Sequence, residues 1–208
     1  MNAILERILE TGKVTDSNGN THDVFPTSLR PETGRALGEL VTELKPQRSI
    51  EVGMAWGLST LFICDALADI PNARHTTIDP YQQQAWHGIG LANVREAGYS
   101  EIVRHFEDES CLVLPRLNMN GEQFDFAFID GSHLFDAAFV DFFYLNRMLN
   151  VGCCLVLDDI WMPSIQQLCR FVTTNLDYDH RVIENADDVA ILYKVGERSR
   201  DWDYHSEF

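Results

Sequence analysis

Residues 49–60 read Ser-Ile-Glu-Val-Gly-Met-Ala-Trp-Gly-Leu-Ser-Thr, and this stretch decides the fold. Its first four residues form a short, mostly apolar run, which is typical of a buried strand. Gly53 and Gly57 then frame a turn, because glycine adopts positive φ and lets the backbone approach a neighbour closely. Ser59 or Thr60 can bond the first free amides of a helix after the turn. The stretch therefore predicts a strand, a glycine turn and a helix.

Outward from this unit, short apolar runs alternate with helical periods, which predicts repeated βα units. Five parallel strands are predicted at 49–52, 75–78, 102–106, 124–129 and 153–157, before an antiparallel hairpin at 181–184 and 189–195. Helices are predicted at 1–11, 31–44, 58–69, 88–97, 109–117, 134–149 and 163–175, with a polar loop at 12–28. The predicted fold is α/β: an open seven-stranded sheet, mostly parallel, with helices on both faces.

Three parts are expected along the chain. Residues 1–30 form an N-terminal helix and cap loop, residues 31–198 form the main domain, and residues 199–208 form a C-terminal tail. The aromatic residues of helix 134–149 belong either to the core or to a homodimer interface.

The net charge excludes several classes of partner. The chain has 16 Lys and Arg residues against 32 Asp and Glu residues, a formal charge of −16. It has no cluster of basic residues, so nucleic acid and anionic membrane surfaces are disfavoured and a small-molecule substrate is expected. Five cysteines without metal-binding spacing, and no apolar leader, are typical of a reduced, cytoplasmic protein.

Candidate site residues follow the strands, because parallel α/β sheets bind ligands at the carboxyl ends of their strands. Glu51, Gly53, Gly57 and Ser59 surround the first turn, and an acid there suits a cationic, amine-bearing ligand. Asp79 ends the second strand, where an acid bonds ribose hydroxyls. Together they predict a nucleoside site. The alternative is a plain βα turn with a capping aspartate.

A second group of acids follows the fourth and fifth strands. Asp130, Asp158 and Asp159 are predicted to meet at the same sheet edge, where oxygen ligands favour a hard divalent cation such as Mg²⁺. His133, three residues after Asp130, is the candidate catalytic base, because its ordinary pKa lies near neutrality. The alternative roles are helix caps and solvated loop residues.

These motifs together resemble the class I S-adenosylmethionine-dependent methyltransferases, whose sheet is Rossmann-like. Within that class, the three aspartates resemble the metal-dependent small-molecule O-methyltransferases of the catechol, caffeoyl-CoA and macrolide-sugar types. The resemblance implies S-adenosylmethionine as cofactor, a divalent metal, transfer of a methyl group to a hydroxyl of a small molecule, and contacts to the cofactor from Ser110 and Asp130. It departs from the catechol type in having Asp159 in place of Asn and His133 in place of Lys.

Two other functions remain open on the sequence. A nicotinamide-dependent oxidoreductase shares this kind of sheet, but the GxGxxG fingerprint is absent. A non-catalytic, nucleoside-binding member of the fold is the second alternative, although a cluster of carboxylates is costly to keep in a mere scaffold.

Overall fold

The computed structural model describes residues 1–183, 186–204 and 206–208. It contains seven helices: α1 Ala3–Thr11, α2 Pro31–Leu44, α3 Leu58–Leu67, α4 Ile89–Glu96, α5 Ser110–Met119, α6 Phe135–Met148 and α7 Pro163–Asn175. Its nine strands are β1 Lys13–Thr15, β2 Thr21–Asp23, β3 Arg48–Val52, β4 Arg74–Ile78, β5 Val103–Phe106, β6 Phe124–Ile129, β7 Leu149–Leu157, β8 Tyr178–Ile183 and β9 Ala186–Lys194. These counts refer to the described part of the chain.

The main sheet has seven strands in the order β5-β4-β3-β6-β7-β9-β8. The first five are parallel, while β9 pairs antiparallel with both β7 and β8. The strand order reverses between β3, which opens the series, and β6, which lies on its other side. Ligands bind at this kind of switch point in open α/β sheets. The predicted fold class is confirmed.

The two faces of the sheet carry separate apolar cores. One core combines Leu5 of α1, Leu37 of α2 and Leu61 of α3 with side chains of the sheet. The other combines Leu114 of α5, Phe142 of α6 and Leu168 of α7. Because adjacent strand residues point to opposite faces, Cys154 packs in the first core and Cys153 against the second. Helices therefore cover both faces, as predicted.

The N-terminal loop prediction was wrong in part. Residues 12–28 contain the hairpin of β1 and β2, whose strands have three residues each and are too short to show a period of two. Asp16 organises the turn between them: its Oδ1 accepts the backbone N–H groups of Asn18 and Asn20. Leu5, Val14 and Val24 pack in the same core as α2 and α3.

Two boundaries near the C-terminal hairpin also differ from the prediction. Strand β7 begins at Leu149, and β9 begins at Ala186, so the predicted turn residues Asp187 and Asp188 belong to a strand. Ala186 pairs with Ile183 of β8, so β9 begins three residues earlier than the predicted strand. Glu184, the last residue of the predicted strand 181–184, and Asn185, the first residue of the predicted connection, lie outside the described residues.

The aromatic residues of α6 divide between core and surface. Phe142 is buried in the core, whereas Phe143 is 45% exposed. A homodimer through this helix stays a prediction, as does the division of the chain at residues 30 and 198. Among the described helices, none combines the length and the apolar character that a membrane crossing requires.

Candidate functional site

The glycine turn after β3 brings the backbone of two strand ends into contact. The Gly53 N–H donates to the carbonyl oxygen of Ile78, 2.9 Å away, at the end of β4. Gly53 has φ of 91°, and a Cβ at this position would lie 1.9 Å from the carbonyl oxygen of Asp130. No other residue fits there without moving the backbone. The turn therefore fixes the spacing between the ends of β3, β4 and β6.

Asp79 is the side chain that holds this turn in place. It is 3% exposed, and its Oδ2 accepts the backbone N–H groups of Met54 at 3.1 Å and Ala55 at 2.8 Å, with the Gln82 amide at 3.3 Å. Its Oδ1 accepts a single N–H, from Tyr81 at 2.8 Å. A carboxylate oxygen has two lone pairs, so Oδ1 keeps one for a ligand hydroxyl.

A first cavity of about 480 Å³ opens above the turn. Four of the predicted cofactor residues line it: Gly53, Asp79, Ser110 and Asp130. Trp86, from the loop after Asp79, forms part of the wall. The structure therefore gathers residues from the ends of β3, β4 and β6 and from the start of α5 around one hollow.

The other three predicted cofactor residues lie outside this lining. Glu51 is fully buried below the turn, where Oε1 accepts the Thr60 hydroxyl and Oε2 lies 3.5 Å from Nε2 of His75. Gly57 supplies the positive φ before α3, and Ser59 is buried in the first turn of that helix. Their position supports a role in shaping the turn. Direct contact with a cofactor stays a prediction for all three.

A second cavity of about 410 Å³ lies on the other side of Asp130. Asp130, Asp158, Asp159 and Trp161 line one side of it. The segment 26–30, before α2, and Asp187 and Asp188 of β9 line the rest. Among the described residues, Asp130 is the one that lines both cavities.

The predicted acids meet at the sheet edge between the cavities. His133 Nε2 lies 2.8 Å from Asp159 Oδ2 and 3.8 Å from Asp130 Oδ1. The approach to Asp159 is out of line for a hydrogen bond, so Nε2 has no such partner among the described residues. Asp158 is 5% exposed, and its Oδ1 accepts the backbone N–H of Asp159. The Trp161 indole donates to the outer oxygen of Asp159, Oδ1, at 2.7 Å.

Crowding and burial raise the pKa values of two of these acids. Burial, followed by the charges of Asp158 and Asp159, holds the pKa of Asp130 well above its usual range. Burial, with the neighbouring charges of Asp159 and Asp188, raises the pKa of Asp158 to about 7, against the lowering effect of the Asp159 N–H and Arg30. Carboxyl groups in this situation favour either a proton or a bound cation.

The donor set fits a divalent cation. Asp130, His133 and Asp159 each place one ligand atom within 4.8 Å of the others. Two carboxylates and an imidazole suit Mn²⁺ or another borderline ion, and the carboxylates with water suit Mg²⁺. The structure thus groups His133 with two of the three predicted ligands, while Asp158 lies beside them.

The comparisons with known proteins agree with this geometry. Residues 50–160, more than half of the 208-residue chain, match a family described as a methyltransferase domain. The chain belongs to this methyltransferase family. The matched segment runs from β3 to the residues just after β7, so it includes both the glycine turn and the acid cluster.

Curated relatives and solved structures point the same way. A probable caffeoyl-CoA O-methyltransferase of Arabidopsis thaliana is 28% identical over 71% of this chain and 63% of its own length. The caffeoyl-CoA O-methyltransferase of Stellaria longipes is 27% identical over 60% of this chain and 50% of its own. The chain therefore spans less than two thirds of the length of these relatives.

The fold matches solved methyltransferases over most of the chain. The O-methyltransferase TomG of Streptomyces achromogenes, solved with S-adenosylmethionine, is 18% identical with a TM-score of 0.70, covering 82% of both chains. An O-methyltransferase of Bacillus cereus, solved with S-adenosylhomocysteine, is 18% identical with a TM-score of 0.71, covering 93% of this chain and 92% of its own. The resemblance to class I S-adenosylmethionine-dependent methyltransferases is confirmed.

Several residues of this methyltransferase site were missed by the sequence analysis. Arg30 and Thr33, at the start of α2, contact Asp188 of β9, more than 150 positions away. Gln82 joins Asp79 to the glycine turn through its amide. No local motif marks Arg30 and Thr33, because their pairing with Asp188 depends on how α2 packs against the sheet.

Proposed function

We propose that the chain is an S-adenosylmethionine-dependent O-methyltransferase that acts on a hydroxyl group of a small molecule. The observation that carries this proposal is the position of Asp130 in the walls of both cavities. The first cavity has the glycine turn and Asp79 expected for a nucleoside. The second cavity has the cluster of acids and is open to an acceptor molecule that carries a hydroxyl group. A methyl group that is transferred from a donor in the first cavity to an acceptor in the second cavity passes Asp130.

In the first cavity, this chain's residues bind and orient the methyl donor. S-adenosylmethionine supplies a methyl group on a positively charged sulfur. An oxygen can attack this methyl carbon in line with the carbon–sulfur bond, and the sulfur leaves as a thioether. Asp79 Oδ1 offers its free lone pair to a ribose hydroxyl, and Ser110 lies farther along the same wall. Trp86 covers the ligand from the loop side. The negative surroundings of Asp130 suit a cationic donor that leaves as a neutral thioether.

The acids of the second cavity prepare the acceptor together with His133, which lines neither cavity but lies against Asp159. Asp130, Asp158 and Asp159 would hold a divalent cation, which would supply a Lewis acid that lowers the pKa of the acceptor hydroxyl. His133 is the proposed base, which accepts the hydroxyl proton on Nε2, the atom that has no hydrogen-bond partner among the described residues. Holding both reactants in adjoining cavities supplies proximity and alignment.

The relatives named as caffeoyl-CoA O-methyltransferases support transfer to oxygen. We also propose that the protein is located in the cytoplasm. All five cysteines lie among the described residues and none forms a disulfide, which suits a reducing compartment.

Release of S-adenosylhomocysteine from S-adenosylmethionine, measured over a panel of hydroxylated small molecules with Mg²⁺ or with a chelator, tests the function. We expect Asp158→Ala to abolish cation-dependent turnover and to leave the dissociation constant of S-adenosylhomocysteine nearly unchanged. Asp136→Ala, an exposed aspartate at the start of α6, is the matched control. Activity that resists the chelator contradicts the metal, and failure to bind S-adenosylhomocysteine contradicts the function as a whole.

A further inference from the structure

The walls of the second cavity are strongly acidic. Five of its eleven lining residues are aspartates, at positions 130, 158, 159, 187 and 188. Arg30 is its single Lys, Arg or His among the described lining residues. The others are Pro26, Thr27, Ser28, Leu29 and Trp161, which carry no charge.

Arg30 is already engaged by two of these aspartates. Its Nε donates to Asp188 Oδ2 at 2.8 Å, and its Nη2 donates to Asp187 Oδ1 at 2.6 Å. Asp188 also accepts the Thr33 hydroxyl, which fixes the carboxylate against α2. A guanidinium that bonds two carboxylates has little attraction left for an anionic ligand. Arg30 therefore does not form an anion-binding site.

The charge of the cavity stays negative even with a divalent cation in place. The one guanidinium offsets one carboxylate, and a divalent cation offsets two more, so two of the five remain uncompensated. Asp158, which supplies one of these carboxylates, is 5% exposed. An anion entering here meets repulsion, and a cation meets attraction.

Trp161 adds an aromatic surface at the rim of the cavity. Its side chain is 63% exposed, although most tryptophans are buried. The indole N–H donates to Asp159 Oδ1 at 2.7 Å, which holds the ring beside the acids. The face of an indole attracts cations, and it does so best when they are partly desolvated.

We infer that the methyl acceptor carries a cationic amine near its hydroxyl group, and that acceptors bearing carboxylate or phosphate are rejected. This inference rests on the proposed function, because it takes the second cavity as the acceptor site. The amine is attracted by the uncompensated aspartates and the Trp161 ring, while the hydroxyl lies toward Asp130 and His133.

Three dihydroxyphenyl compounds that differ in charge provide the test: dopamine, neutral 4-methylcatechol, and 3,4-dihydroxyphenylacetate. Each is titrated calorimetrically into the protein loaded with S-adenosylhomocysteine and Mg²⁺, so the readout is affinity and not turnover. We expect affinity to fall from the amine to the neutral compound to the carboxylate. The outer two should differ by about tenfold or more at low salt, and the gap should narrow as salt screens the charges.

Two variants separate the cavity charge from the charge of the whole protein. Asp187→Asn removes one negative charge from the cavity and leaves the positive charge of Arg30 less fully offset. We therefore expect the preference for dopamine over 3,4-dihydroxyphenylacetate to shrink several-fold. Asp179→Asn removes another exposed aspartate, from β8 and outside the cavity, and should leave the preference unchanged.

Equal affinity for the three compounds, tighter binding of the carboxylate, or binding of none with S-adenosylhomocysteine in place would overturn this inference. Failure of the protein to bind S-adenosylhomocysteine, measured by calorimetry before the three compounds are added, would instead overturn the proposed function.

Discussion

At the scale of single residues, acids of one chemical type have different surroundings and therefore different tasks. Asp79 accepts four hydrogen bonds from the chain around it, which hold its carboxylate in one orientation. Asp130 and Asp158 lie among other acids, which favours a proton or a cation on them. Glu51 is buried under the turn and bonded to Thr60. The partners of each acid, and not its residue type, distinguish the proposed ribose contact of Asp79 from the proposed cation ligands Asp130 and Asp158.

Asp79→Ala removes both the proposed ribose contact and the bonds that hold Met54 and Ala55. Hydrogen bonds to charged groups contribute about 1.5–3 kcal/mol each. We expect the dissociation constant of S-adenosylhomocysteine to rise about 10- to 100-fold, measured by calorimetry. Asp69→Ala, an exposed aspartate after α3, should have no effect. An unchanged constant for Asp79→Ala would remove this residue from the cofactor site.

His133 can act as a base or as a cation ligand, and one variant distinguishes the two roles. If it is the base, His133→Gln should lower kcat about 10²- to 10⁴-fold and leave the Mn²⁺ or Mg²⁺ affinity unchanged. If it is a ligand with Asp130 and Asp159, the cation affinity should fall as well. Cation titration of the variant by calorimetry, without substrate, gives the answer. Full activity of His133→Gln would exclude both roles.

At the scale of elements, the N-terminal hairpin supports the loop that covers the first cavity. Trp86 of that loop lies edge-on to Trp56, with ring centroids 4.9 Å apart. His22 of β2 packs on Trp56 at 5.4 Å and stacks on His87 at 4.8 Å. Asp16 lies 3.2 Å from Nε2 of His22, on the side away from the loop. The hairpin thus contacts the cavity wall through aromatic rings.

His22→Ala should loosen this wall and weaken cofactor binding. Aromatic pairs contribute about 0.5–1.5 kcal/mol beyond their buried area, so we expect the S-adenosylhomocysteine dissociation constant to rise about 2- to 10-fold. His22→Phe keeps a ring and should restore most of the affinity. Thr21→Ala, exposed on the same strand, is the control. Equal affinity of His22→Ala and the unchanged protein would show that the hairpin does not support the site.

At the scale of the whole molecule, the site depends on buried polar groups that cost stability. Asp141 of α6 is 1% exposed behind Ser110, and its Oδ1 has no hydrogen-bond partner among the described residues. Burial raises the pKa of Asp141 to about 6, although a hydrogen bond with Ser110 acts in the opposite direction. The folded protein therefore holds a proton on Asp141 at a pH where the unfolded chain has released it.

This proton makes stability fall as pH rises. The contribution of Asp141 is fully present below a pH of about 4 and is lost as pH rises through about 6, because only the unfolded chain ionises freely in between. In urea unfolding between pH 4 and pH 8, we expect Asp141→Asn to gain about 2 kcal/mol relative to the unchanged protein. Asp136→Asn, exposed on the same helix, should show no such trend. A pH-independent difference for Asp141→Asn would contradict the raised pKa.

The sequence by itself determined the elements of the main sheet and most of the residues at its carboxyl edge. Apolar runs and helical periods are local, and the glycine turn at 53–57 marks where the first βα unit places its ligand site. Since parallel strands end at one edge, Asp79, Asp130, Asp158 and Asp159 could be placed near one another from strand order alone. The short strands β1 and β2 could not be predicted from the sequence, because three residues are too few to show the period-2 alternation of a strand.

Only the tertiary structure decided which of these residues touch. It separated the first cavity from the second, put Asp130 between them, and buried Glu51 beneath the turn. It also placed Arg30, the single arginine in the described lining of the second cavity, against Asp187 and Asp188. The physical reason is that charge balance and burial at a site depend on side chains from distant segments. Their meeting is fixed by helix and strand packing and leaves no periodic trace in the local sequence.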